Sequence, residues 1–221
     1  MLAMEDVVII PNGLNTGDNQ VGIVLSHNEE QFHCGLSFDL KKGFKVLHLA
    51  WHYDLQYTEN TEMFTHWIKP KIHTKRQLMV SVKCKQIQKR IKEMQVPYAL
   101  LYDKTTFDKD GILLLGEKEH GLTCATFVLA VFKSCGINLV DTENWPEREE
   151  DKVWHEQIIS YLKQTRKASK FHVENVTNER GCARFRPEEV GISSTFSPNP
   201  GPTEEIIHKG RILHDYVIQH S

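Results

Sequence analysis

Apolar positions change period several times along the chain, and each change marks an element. The clearest run is Thr123-Cys-Ala-Thr-Phe-Val-Leu-Ala-Val-Phe-Lys-Ser-Cys-Gly136. Phe127, Val128, Val131 and Phe132 recur at helical spacing. Thr123 is an N-cap type residue and Gly136 a natural stop, so a buried helix is predicted to begin at Cys124. Residues 32–39 and 44–51 alternate with period two and predict two strands joined by a tight hairpin at Lys41-Lys42-Gly43. Val21 to Leu25 predicts a further strand. Residues 5–11 form a short apolar run followed by turn residues at Asn12-Gly13 and from Asn15 to Asn19.

The remaining segments are less regular. Residues 52–73 read as loop with at most one helical turn. Residues 75–95 carry a helical stripe of Val80, Cys84, Ile87, Ile91 and Met94, with lysines largely off it and Pro97 as the stop. Tyr98 to Tyr102 and Gly111 to Leu115 read as strands, with residues 103–110 joining them. Residues 148–163 read as a helix with Val153, Trp154, Ile158 and Leu162 inward. Residues 164–190 are polar and irregular, and Ser193 to Pro202 reads as a linker. A last helix, Thr203 to His220, is expected to pack back on the domain or cover a cleft. The predicted class is α+β, an antiparallel sheet packed on the Cys-bearing helix. The expected organisation is one domain over residues 1–190, with a linker and C-terminal helix at 191–221 packed on it.

The hairpin register brings chemistry together. A two-residue turn pairs Leu40 with Gly43 and sets His33 opposite Ala50. His48 then lies one strand over and two residues along, on the same face as His33. Gly35, Ser37 and Ala50 share that face and leave space beside the imidazoles. Leu36, Phe38, Leu47 and Leu49 fall on the other face, which suits a core. A slip of one residue would separate the histidines.

Composition narrows the function classes. The 221 residues carry a net charge of −2, which argues against an electrostatic nucleic-acid binder. No apolar run reaches the roughly 18 residues of a membrane helix, so no integral membrane segment is expected. The N-terminal residues show no signal-peptide pattern, so synthesis in the cytoplasm is expected, with export only by a signal-independent route. The five cysteines are odd in number, widely spaced and without a CxxC pair, which points away from a disulfide framework or a four-cysteine zinc site.

A helix-start cysteine gains from unpaired N–H groups and the positive end of the helix dipole, both of which favour the thiolate. With a neighbouring imidazole as base and a third group to orient it, such a thiolate attacks carbonyls. Cys124, His33 and His48 fit nucleophile, base and orienting group, with the Cys124 amide as an oxyanion donor. Cys124 also fits a bland reading as a small buried apolar residue. The rival constellation is zinc on His33, His48 and His52, although His48-Leu-Ala-Trp-His52 lacks the glutamate of HExxH. No metal or other cofactor is expected. His120 is a further residue that could line the cleft. Cys34, Cys84 and Cys135 read as packing residues, and Cys182 as exposed.

The stretch from Thr123 to Val140 resembles the nucleophile helix of the NlpC/P60 cysteine peptidases. His33-Cys-Gly-Leu-Ser-Phe followed by Lys45-Val-Leu-His-Leu-Ala50 resembles that family's histidine hairpin. The hairpin precedes the cysteine here, which resembles the circularly permuted branch that includes the lecithin–retinol acyltransferase-like proteins. The likeness covers roughly residues 20–140. Ala125-Thr126 stands where the family usually has Ser-Gly, and the hairpin loop is longer than usual. The resemblance implies a permuted papain-like fold and a Cys124–His33–His48 triad. It implies hydrolysis of an amide, with peptidoglycan peptide or another peptide as the first substrate class. Lipid acyl transfer or thioester hydrolysis is the alternative enzyme class, and a non-catalytic binding module is the third. A wall hydrolase without a leader would need delivery to the periplasm or outside the cell. It would then act as a toxin, with a secretion apparatus or an immunity protein as partner.

Overall fold

A computed structural model of the protein describes residues 7–9, 21–28, 31–38, 45–59, 63–118 and 120–220. Six strands form one sheet: β1 Val7–Ile9, β2 Gly22–His27, β3 Phe32–Ser37, β4 Val46–Trp51, β5 Asp54–Thr58 and β6 His66–Ile68. Their spatial order is β1-β6-β2-β3-β4-β5, and every neighbouring pair is antiparallel. The helices are α1 Thr74–Arg90, α2 Cys124–Ser134, α3 Asp151–Gln164, α4 Lys170–Asn178, α5 Pro187–Ser193 and α6 Thr203–Gln219. A two-stranded ribbon of β7 Thr106–Phe107 and β8 Leu113–Leu114 lies between α1 and α2 in the chain. The architecture is α+β with an antiparallel sheet.

The core is built around α2. Phe127, Val128, Ala130, Val131 and Phe132 are wholly buried, and no side of the helix meets solvent over that stretch. A helix that is apolar all round must be covered all round. The sheet covers it through β3 and β4, α1 and α5 pack on other sides, and Phe107 of β7 meets Phe127 edge-on at 5.8 Å. Each buried Phe or Val contributes about 1.5–3 kcal/mol of transfer free energy. The helix starts where Thr123, in an extended conformation, accepts the Thr126 N–H, while the Thr126 hydroxyl accepts the Thr123 N–H. It stops at Gly136, whose φ of +71° is cheap only without a Cβ.

The sheet has two distinct faces. Leu36, Leu47, Leu49, Ile23 and Leu25 belong to the main core, as the alternation predicts. The opposite face holds a smaller cluster of Val24, Val46, Phe64 and Trp67. The β3–β4 register is the predicted one, Leu36 opposite Leu47 and Ser37 opposite Val46. The turn at Lys41-Lys42-Gly43 lies outside the described residues, as do the turns at 12–19.

Several expectations are corrected. Residues 52–73 hold β5 and β6 rather than loop, because ladder partners on β4 and β2 stabilise strands with polar and aromatic positions. Tyr98 to Tyr102 is no strand; Tyr98 makes a single bridge to Leu122. The 103–110 connection instead contributes β7, and only Leu113–Leu114 of 111–115 pairs. The α1 helix ends at Arg90, well before Pro97, and residues 91–93 continue as a turn. Val153 points outward at 68% exposed, whereas His155, Ile158, Ile159 and Leu162 of α3 are buried. The polar stretch 164–190 contains all of α4 and the start of α5. Buried ion pairs satisfy its charged residues: Arg148 and Arg186 reach Asp151, and Arg148 also reaches Glu189. Ser193 belongs to α5 rather than to a linker. The last helix is as predicted, and it packs on α5 and β2 through Ile206, Gly210, Leu213 and Val217.

Candidate active site

Beyond Leu36 and Leu47, β3 and β4 show no further paired residues among those described. The first turn of α2 meets the sheet where this ladder stops. Cys34 leaves β3 toward the main core and His33 leaves it on the other face, yet both side chains reach hydrogen-bonding range of Cys124. The opening between the strands explains how one sulfur can face residues of opposite alternation.

His33 and His48 are joined directly. His33 Nε2 lies 2.8 Å from His48 Nδ1, with ring centroids 4.9 Å apart and planes near perpendicular. Gly35 makes this approach possible, because a Cβ there would sit 2.8 Å from His48 Cβ and 2.7 Å from Val46 Cγ1. Phe64 packs edge-on against His48 at 5.4 Å and backs His33 at 6.0 Å. The cavity lies beside the imidazoles and Ala50, where the small side chains leave room, and Phe64 covers another part of both rings.

The electrostatics follow from these contacts. The Cys124 thiol is held well below its ordinary range by a hydrogen bond from the Cys34 thiol. The charge and hydrogen bond of His33 and a hydrogen bond from the Cys34 backbone add to this, against the cost of burial. Cys34 moves the other way, pushed up by its burial and by its neighbour's charge. The helix start and the His33 contact favour the thiolate at Cys124 over Cys34. His48 is pushed down to about 3 by burial and by the charge of His33, so it stays neutral near pH 7. The amides of Cys124 and Ala125 have no acceptor among the described residues, and both residues line the same cavity. That cavity has a volume of about 430 Å³ and also takes in His33, His48, Ala50 and Trp51.

No protein-family model, curated protein or solved structure matches the chain. The geometry of this cavity therefore carries the functional reading.

The structure thus brings together Cys124, His33 and His48. It does not bring in His52: β4 ends at Trp51, and the fully buried His52 accepts the Tyr98 N–H at 3.1 Å and lies against His172. Three imidazoles accordingly do not converge, and no group of three or more His, Cys, Asp or Glu residues among those described could hold a metal ion. His120 pairs with the buried Glu179, which also accepts the Leu100 and Leu101 amides, and it is not among the residues lining the cavity. Cys34 does pack in the core as expected, but its thiol faces Cys124. Cys182 is half-buried rather than exposed.

Sequence reasoning also missed one wall. Arg184 and Phe185 come from the stretch read as irregular, and Trp154 comes from α3. The Arg184 guanidinium lies 3.9 Å from the centre of the Trp154 ring. No local motif flags such a residue; only the packing of α3 beside residues 184–187 brings it to the cavity that Cys124 also lines.

Proposed function

We propose that the protein is a cysteine hydrolase that cleaves amide bonds through a thioester, with Cys124 as nucleophile, His33 as base and His48 as orienting group. The observation that carries this reading is a helix-start cysteine that shares one cavity with two imidazoles hydrogen-bonded to each other at 2.8 Å. The hairpin-then-helix order and the likeness of both motifs favour a permuted papain-like, NlpC/P60-type reading of the α+β fold.

The steps follow from the geometry. With Nε2 engaged by His48, Nδ1 of His33 is the nitrogen left for the sulfur. It takes the thiol proton, and the ring then carries protons on both nitrogens. Its Nε2–H must donate, so His48 Nδ1 must accept, and the His48 proton sits on Nε2. A His48 of low pKa suits this role, because it remains an acceptor over the working range. The thiolate attacks the amide carbonyl carbon, forming the C–S bond. The free amides at the start of α2 receive the oxyanion. As the C–N bond breaks, His33 returns the proton to the departing amine. Water, losing a proton to His33, then attacks the thioester; the acid leaves and the thiol is restored.

Thiol-directed labelling tests this. An iodoacetamide probe at neutral pH should modify Cys124 in the wild type and leave Cys124→Ser unmodified at that position. Cys84, at 0% exposed, serves as the internal silent thiol. Peptide amides, peptidoglycan fragments and acyl thioesters then divide amidase from acyl-transfer chemistry. A Cys124 no more reactive than Cys84 would leave a binding module rather than an enzyme.

A further inference from the structure

The cavity beside Cys124 is lined by one permanent cation, Arg184, and, among the described residues, no carboxylate. The other titratable groups there are His27, His33, His48, Tyr98 and Cys124 itself. His27 is held below its ordinary range by burial and by His214, so it adds no charge under mildly alkaline conditions. The anion that forms at Cys124 has the His33 ring beside it, whereas the part of the cavity lined by Arg184 holds a cation and no carboxylate, which favours an anionic ligand group there.

Arg184 is built for such a contact. Its guanidinium lies over the Trp154 ring, which fixes the plane of the fork. Its side chain is 17% exposed. Its one carboxylate partner within 4 Å among the described residues, Asp151 at 3.3 Å, is shared with Arg148 at 2.9 Å and Arg186 at 2.8 Å. Both rivals hold Asp151 at shorter range, so Arg184 is the least neutralised of the three. Its Nε is buried with no hydrogen-bond partner among the described residues. Glu188, whose charge also reaches Arg184, is buried, and that burial pushes its carboxyl up. Arginine keeps its charge under these conditions and presents donors in a geometry that matches a carboxylate.

We propose that Arg184, stacked on Trp154, is a specificity-determining residue that binds a carboxylate of the substrate while its acyl group is presented to Cys124. This deepens the amide-hydrolase reading and rests on it. The substrate class becomes an amide or peptide bearing a free carboxylate near the scissile bond, such as a C-terminal or acidic residue. A neutral fatty acyl chain does not use this contact.

The test uses the full-length chain and needs no known substrate. Iodoacetyl-glycine carries a free carboxylate, and iodoacetyl-glycinamide is its neutral counterpart. Each alkylates a thiolate with loss of iodide. Rates at Cys124 are measured at pH 8 by mass spectrometry and divided by the rates for a small free thiol. The normalised carboxylate-to-amide ratio should be about tenfold or more in the wild type, equivalent to about 1.4 kcal/mol. It should fall close to one in Arg184→Gln and Arg184→Met, the latter keeping the aliphatic stem over Trp154, and be partly retained in Arg184→Lys. A wild-type ratio near one, or the same ratio in wild type and the neutral variants, overturns the proposal. If neither neutral variant folds, N-acetylglycine should protect wild-type Cys124 from iodoacetamide where N-acetylglycinamide does not; equal protection overturns it. If neither reagent modifies Cys124, the nucleophile reading fails. Titration of N-acetylglycine against N-acetylglycinamide by calorimetry then judges the carboxylate site alone, with equal or absent binding counting against it.

Discussion

Replacing His48 by leucine isolates the contact on which the proposed chemistry depends. His48 is 2% exposed and its Nδ1 meets His33 Nε2 at 2.8 Å. When His33 carries the extra proton, that hydrogen bond is charge-assisted, and such bonds contribute roughly 1.5–3 kcal/mol. Leucine also removes the weaker neutral bond that the same Nε2–H makes in the thiol–imidazole state, so only the charge-assisted excess, about 1–1.5 kcal/mol, separates the two states. The Cys124 pKa should therefore rise by about 1 unit, at 1.36 kcal/mol per unit. Folding stability should respond far less. His48 Nε2 is already buried without a partner among the described residues, and leucine puts an apolar group against Phe64 and Val46. The assay is the second-order rate of iodoacetamide alkylation at Cys124 from pH 4 to 10, with the melting temperature recorded alongside. The expected result is an upward shift of the rate midpoint in His48→Leu with a melting temperature within about 4 °C of wild type. His48→Gln keeps a side-chain acceptor and should retain most of the low-pH reactivity. Superimposable wild-type and His48→Leu profiles would refute the orienting role.

Two further outcomes follow from the same geometry. Gly35→Ala places a methyl group 2.7 Å from Val46 Cγ1 and 2.8 Å from His48 Cβ, so the strands or the ring must move. It should cost about 1–3 kcal/mol by overpacking, read by denaturant unfolding, and slow alkylation of Cys124 at neutral pH; unchanged values of both would show that the close approach is not needed. His48, His52 and His66 are buried and pushed down to about 3, 4 and 4 respectively, chiefly by desolvation. In the unfolded chain they take up protons near pH 6.5, whereas in the fold they resist until pH 3–4. The unfolded state therefore binds more protons in that window, and stability falls as pH drops from about 6.5 toward 4. Thermal melts should lose at least about 4 °C between pH 7 and pH 4.5, and a flat profile would contradict the burial of neutral imidazoles.

The site was more legible in the sequence than much of the fold around it. Period-two alternation shows which residues of β3 and β4 face the core, and the turn expected at Lys41-Lys42 implies the register that Leu36 and Leu47 adopt, so the nearness of His33 and His48 is legible in the sequence. The start of α2 was legible because Thr123 and Gly136 are local capping signals. The strands β5 and β6 were not, since His66-Trp67-Ile68 has no pattern of its own and is held by pairing to β2 and β1. The same holds for residues 164–190, where salt bridges from a distant part of the chain bury the charges that suggest solvent. The Cys34 contact was hidden by the alternation itself, which puts Cys34 and His33 on opposite faces. Only the parting of β3 from β4 lets one sulfur reach both.

That parting of two strands also divides labour along the polypeptide. The proposed triad comes from the first two thirds, while Trp154, Arg184, Phe185 and Pro187 line the cavity from the last third. Those two inheritances are free to drift apart: replacement of a few positions near Arg184 can redirect what the cavity accepts while the sulfur and its imidazoles stay as they are. Trimming the chain after residue 140 would leave the reactive group intact in sequence but without a wall against which any substrate could be held.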